Sequence, residues 1–157
     1  MNYWLFKSEP HAYSLEQLRL DKTTPWSGVR NYQARNNMLA MKVGDLGFFY
    51  HSSIAQPHIA GICQVVRAAF ADPTQFQPES DYYDPKATPD KPRWMNVEVG
   101  FREAFANPLS LTHLRSESRL ASMVLLSRGS RLSVQPVTPA HWRIIERMAR
   151  TLTRQAQ

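Results

Sequence analysis

At 157 residues, 43% of them apolar, the chain has the size of one domain and enough core to fold without disulfides or structural metal. Nineteen Lys and Arg against thirteen Asp and Glu give a net charge of +6, which favours polyanionic partners, although a plain solvated surface gives the same count. One cysteine, Cys63, excludes an internal disulfide and a cysteine-based zinc site and suits a reducing compartment.

Tyr3 to Phe6 is apolar on both faces and reads as a short buried strand. Ser14 and Gln17 have capping-box spacing, so a helix runs from there to about Leu20. Asp21 to Trp26 is expected as a loop, and Asn31 to Met41 has helical periodicity. Gly44-Asp45 turns the chain into a strand over Leu46 to His51, and a second strand covers Ile59 to Arg67, the two forming an antiparallel hairpin.

Ala71 to Lys91 holds four prolines, five acidic residues and two lysines and is expected as a long irregular loop. A strand follows over Trp94 to Phe101. Pro108 to Leu126 is expected to be mostly helical, and Leu132 to Val137 is the last strand. Thr138 caps a final helix with Pro139 in its first turn, and Thr151 to Gln157 is expected as a polar, frayed tail beyond a single domain of residues 1–150.

Strands and helices do not alternate, which argues against a doubly wound parallel sheet. The expected class is α+β: a strongly curved mixed sheet or small barrel of about five or six strands with peripheral helices. No stretch reaches the length of a membrane span and no secretory leader is legible, so a cytoplasmic protein without membrane contact is expected.

Catalytic signatures are missing: there is no phosphate-binding glycine loop, no nucleophile elbow and no zinc-binding histidine pair. No cofactor or metal is therefore expected, and no catalytic residue is assigned. His51 beside Ser52 could be read as nucleophile chemistry, but a polar strand end explains both. Cys63 sits in an apolar strand and reads as a buried thiol.

The segment Trp26-Ser27-Gly28-Val29-Arg30-Asn31-Tyr32-Gln33-Ala34-Arg35-Asn36 is denser. An aromatic in a loop, a glycine, two arginines and amides at a helix start supply stacking, phosphate neutralisation and base-edge hydrogen bonds. Trp26 as a core residue and Asn31 as a plain N-cap explain the same residues equally well. Arg30 and Arg35 are the candidate phosphate contacts. Tyr82, Tyr83, Asp84 and Lys86 form a candidate lid in the long loop; pinning that loop to the domain is the alternative.

Taken with Tyr3-Trp4-Leu5-Phe6-Lys7-Ser8-Glu9-Pro10, Phe48-Phe49-Tyr50-His51-Ser52, Tyr82-Tyr83-Asp84-Pro85-Lys86, Arg93-Trp94 and Arg131-Leu132-Ser133-Val134, this segment closely resembles the EVE domain family of the PUA-like superfamily. The resemblance runs from Tyr3 to Trp142. It implies a PUA-like sheet and a non-enzymatic module that binds a modified base, such as methylated or hydroxymethylated cytosine, in single-stranded or flipped-base DNA or RNA; the similar YTH domain reads methylated adenine. By the family pattern the pocket forms where Lys7, Ser8, Trp26, Ser27, Gly28, Val29, Arg30, Asn31, Tyr50, His51, Ser52, Arg131, Leu132 and Ser133 converge. Met38-Leu39-Ala40-Met41 departs from the family, where a basic residue is common. Two other readings stay open: an enzyme acting on a nucleobase through His51, Ser52, Asp84 or Lys86, and a protein-interaction module. A monomer is slightly favoured.

Overall fold

The computed structural model describes residues 1–156. Among them, six strands form one mixed sheet with four α-helices around it. The strands are β1 (Tyr3–Ser8), β2 (Thr23–Pro25), β3 (Leu46–His51), β4 (His58–Ala71), β5 (Met95–Ser110) and β6 (Val134–Val137). The helices are α1 (Leu15–Asp21), α2 (Tyr32–Ala40), α3 (Leu111–Arg115) and α4 (Pro139–Ala156). The spatial order is β2-β5-β4-β3-β1-β6, with β1 and β3 parallel and the other pairs antiparallel.

Side-chain alternation explains why β1 and β3 are apolar on both faces. Trp4, Phe6 and Phe49 enter one core with Trp26, Met38 and Val97; Leu5 and Phe48 enter a second core with Leu109, Trp142 and Ile145. Trp142 stacks on Phe48 at 3.8 Å between ring centres and on Tyr3 at 4.6 Å, which fixes α4 against the second face. Cys63 is fully buried in the first core, and burial pushes its thiol up to about 12. No helix among the described residues is long and apolar enough to cross a membrane.

The structure departs from the sequence expectations at four places. No ladder joins β2 to β6 among the described residues, so the sheet is open and not a closed barrel. The β4–β5 ladder shifts register at four positions, between Ile59 and Gly61, Ile62 and Cys63, Val65 and Arg67, and Arg67 and Phe70. The expected loop at Asp21 to Trp26 contains β2, a three-residue strand held by its pairing with β5. The expected helix from Pro108 begins only at Leu111, because β5 continues through Leu109 and Ser110 to pair with Ile59 and His58; beyond α3 the chain makes short 3-10 turns. The expected frayed tail is helical through Ala156, since Leu152 continues the apolar stripe that packs on the second core.

Candidate nucleic-acid interface

A cleft of about 550 Å³ opens where the ends of β1 and β2 meet the β2–α2 connection. Lys7, Ser8, Trp26, Ser27, Gly28, Val29, Arg30, Tyr82 and Ser133 line it, with Glu9, Ala12, Tyr13, Thr24 and Pro25.

Each wall has a local cause. The Lys7 amide donates to the Ser133 carbonyl (2.8 Å), which docks the residues before β6 against β1. The Lys7 ammonium reaches the Ser130 carbonyl (3.4 Å), and partial burial lowers its pKa. The Ser8 hydroxyl donates to the Tyr13 carbonyl (2.6 Å) and fixes the turn before α1. The Trp26 amide continues the β2–β5 pairing by donating to the Val97 carbonyl (2.7 Å). Its ring meets Phe6 and Phe49 edge-on, at 5.1 and 5.6 Å. Only 9% exposed, Trp26 belongs to the first core, as the core reading expects, and also lines the cleft.

The outer wall rests on Asp72, which is fully buried. Its carboxylate accepts from the Gly28 amide (2.9 Å), the Thr74 amide (2.8 Å), the Thr74 hydroxyl (2.6 Å) and the Arg30 guanidinium (3.0 Å). Burial alone would raise its pKa, but these donors outweigh burial and hold it below the usual carboxylate range. Gly28 has a φ of +82°, and a Cβ there would lie 2.8 Å from the Tyr82 ring. Glycine is therefore required both by the backbone conformation and by the aromatic lying across it.

Arg30 is committed to this wall. Besides Asp72 it donates to the Tyr82 carbonyl (2.7 and 3.1 Å), the Thr74 hydroxyl (3.0 Å) and the Val29 carbonyl (2.9 Å). Its guanidinium also sits 5.5 Å from the ring centres of both Tyr82 and Trp94. Arg35 is similarly engaged: it donates to the Arg93 carbonyl (3.0 Å) and lies over Tyr32, which stacks on Trp94. Of the two residues expected to contact phosphate, Arg30 is thus a strut of the cleft wall, and Arg35 lies outside the cleft lining with partners of its own.

The long acidic loop is ordered by Gln75, which is fully buried. Its side-chain amide donates to the Asp72 and Trp94 carbonyls, both at 2.7 Å, and accepts from the Arg93 and Trp94 amides, both at 2.9 Å. Asp84 accepts from the Trp94 indole (2.8 Å), the chief cause of its lowered pKa, and pairs with Arg93. Of the four candidate lid residues only Tyr82 reaches the cleft; Tyr83 and Lys86 lie outside it and Asp84 pins the loop. Asp72 and Gln75 were not singled out from sequence. Asp72-Pro73 carries a legible N-cap signature for the 3-10 turn Pro73–Phe76, whereas Gln75 has no local signal.

The remaining candidates fall elsewhere. Asn31 caps α2, accepting from the Ala34 amide (2.9 Å); it shares a second groove of about 340 Å³ with Arg131 and Leu132. Tyr50 is buried in the second core, because it alternates with Phe49 and so points through the other face of the sheet. The Ser52 amide donates to the Ser8 carbonyl (2.9 Å).

His51 accepts from the Leu15 amide at Nε2 (3.1 Å), so its proton sits on Nδ1, 3.0 Å from Nε2 of His58; His58 Nδ1 lies 2.9 Å from the Gln56 carbonyl. This neutral chain anchors α1. Burial, with a smaller contribution from His58, lowers the His51 pKa to about 4. His51, Ser52, Asp84 and Lys86 therefore do not gather at the cleft. Among the described residues no group of three His, Cys, Asp or Glu side chains is placed to hold a metal.

The protein is thus a small α+β domain with an open mixed sheet and a cleft lined by Trp26 and bounded by a hydrogen-bonded loop. The chain belongs to the EVE domain family, whose model matches residues 2–148. It is 40% identical to human thymocyte nuclear protein 1 over 156 residues, covering 87% of this chain and 69% of that protein. A crystal structure from Pseudomonas putida superposes with a TM-score of 0.91 at 50% identity, covering 94% of this chain and 99% of the other. The human THYN1 protein, solved in complex with 5-methylcytosine containing DNA, superposes with a TM-score of 0.89 at 37% identity over 95% of this chain and 98% of that one.

Proposed function

We propose that this chain is a non-enzymatic, PUA-like nucleic-acid reader that takes one modified base, such as 5-methylcytosine, into the Trp26 cleft. The observation that carries the reading is the cleft itself, aromatic at its floor and lined by Ser8, Ser27, Ser133 and Lys7, in a chain similar to a protein solved with methylated DNA. Stacking on Trp26 and Tyr82 holds the base plane, and the hydroxyls meet its edge. The target strand is single, or the base is flipped out at a cost of a few kcal/mol. DNA and RNA both meet these requirements. The register shifts along the β4–β5 ladder support the PUA-like curl of the sheet.

The expected discrimination is modest. Burying one extra methyl is worth about 0.8 kcal/mol, or about fourfold in affinity. Fluorescence anisotropy with single-stranded oligonucleotides differing only by one 5-methyl group is the test. The wild type prefers the methylated strand by about fourfold or more. Because Trp26 also packs on Phe6 and Phe49, Trp26→Ala costs about 3–5 kcal/mol and threatens the fold. Trp26→Phe and Tyr82→Ala are the informative variants, and both lose the preference. Equal affinity of the wild type for the two strands, across methylated and hydroxymethylated cytosine, overturns the reading.

A further inference from the structure

The net charge of this chain is not spread along it. Residues 111–157 hold eight arginines against two glutamates, with no lysine or aspartate, whereas residues 1–110 hold eleven cations and eleven carboxylates. The full +6 thus resides in the last third. Within it, α4 places Arg143, Arg147, Arg150 and Arg154 at intervals of four, three and four, which the helical repeat gathers into one exposed stripe. Glu103 and Glu146 pair with Arg150; Arg143, Arg147 and Arg154 have no hydrogen-bond or ion-pair partner among the described residues. Arg147 also meets His113 and Arg119 around a groove of about 200 Å³ between α3 and α4.

The opposite side of α4 is spent. Trp142, Ile145 and Ala149 are buried in the second core, so the helix has no apolar face to lay into a lipid surface. The stripe therefore offers charge and forked donors alone, the chemistry that meets phosphate oxygens two at a time. The cleft offers the Lys7 ammonium but no uncommitted guanidinium, since Arg30 is bound to Asp72 and Tyr82.

We propose that the arginine stripe of α4 is a second nucleic-acid contact, binding backbone phosphates without reading the base. The proposal rests on the nucleic-acid reading above and supplies the phosphate contacts from which affinity comes. It places them on the sheet face opposite the Trp26 core.

The test is the triple variant Arg143→Gln, Arg147→Gln, Arg154→Gln in the full chain, titrated with labelled methylated and plain single strands across salt. The variant binds both strands more weakly by one common factor, roughly tenfold or more at low salt, and its log-log salt slope is shallower by about 2. The ratio between methylated and plain strands is unchanged, and circular dichroism confirms the fold. A variant with wild-type affinity and slope overturns the proposal. If the wild type fails to discriminate while the variant still loses affinity, the cleft reading falls and the stripe stands. Wild-type protein that binds neither strand at low salt overturns both. Binding to phosphatidylserine vesicles with no binding to either strand reassigns the stripe to lipid and also overturns it.

Discussion

Two groups of arginines on this chain have opposite fates. In the cleft wall, Arg30 is held by a fully buried carboxylate, two carbonyls, a hydroxyl and two rings; outside the cleft lining, Arg35 is held by a carbonyl and a ring. On α4, Arg143, Arg147 and Arg154 stand exposed beside a single paired neighbour. Net charge counts both groups alike, but only partners and burial say which cations remain available to a ligand. Arg30 and Arg35 position aromatics, and the helix arginines present charge.

Removing the carboxylate that holds Arg30 is expected to have the largest effect. Asp72→Ala leaves the guanidinium, the Gly28 amide and the Thr74 donors without their acceptor. The expected loss is about 3–5 kcal/mol by urea denaturation, the range for a partly buried cation stripped of its partner. A loss below about 0.5 kcal/mol, the scale of ordinary surface changes, contradicts the strut.

A smaller change probes the same wall from the backbone side. Gly28→Ala costs about 1–2 kcal/mol in left-handed strain, and its methyl must push the Tyr82 ring aside. The variant therefore loses base preference together with stability. Retained preference would show that Tyr82 takes no part in reading the base.

The histidine anchor of α1 makes stability depend on pH. His51 has a folded-state pKa of about 4, below the unfolded value of about 6.5, because burial first and His58 second oppose its charging. As pH falls the unfolded chain takes up the proton before the folded one. Stability is thus undiminished above about 6.5, declines between about 6.5 and 4, and declines no further on this account below that window. His51→Gln, which still offers an acceptor to the Leu15 amide, flattens the slope; an unchanged slope places the titration in another group. Smallest of all is the effect of Arg147→Gln, expected within about 0.5 kcal/mol because the exposed side chain has no hydrogen-bond or ion-pair partner among the described residues.

Local signals made much of the fold legible. Ser14 caps α1 as its spacing predicts, accepting from the Gln17 amide, and Thr138 caps α4. β3 spans the residues expected of it, and β3 and β4 form the expected antiparallel pair. What stayed hidden depends on distant partners. β2 is a strand only because β5 lies beside it, and β5 runs past Pro108 only because β4 is long enough to pair there. At the cleft, Lys7, Ser8, Trp26 to Arg30 and Ser133 come together from segments singled out in the sequence. Tyr50 could have been excluded by alternation from Phe49. The commitment of Arg30 could not have been read, since Asp72 lies 42 residues away and Gln75 carries no motif.

The central claim is that the Trp26 cleft distinguishes a modified base from its plain form. The most direct measurement is the affinity ratio for single strands with 5-methylcytosine or cytosine at one position, in wild type and Trp26→Phe at one salt concentration. The account predicts a wild-type ratio of about four or more that falls toward one in the variant. A wild-type ratio of one, or a ratio the substitution leaves unchanged, contradicts it.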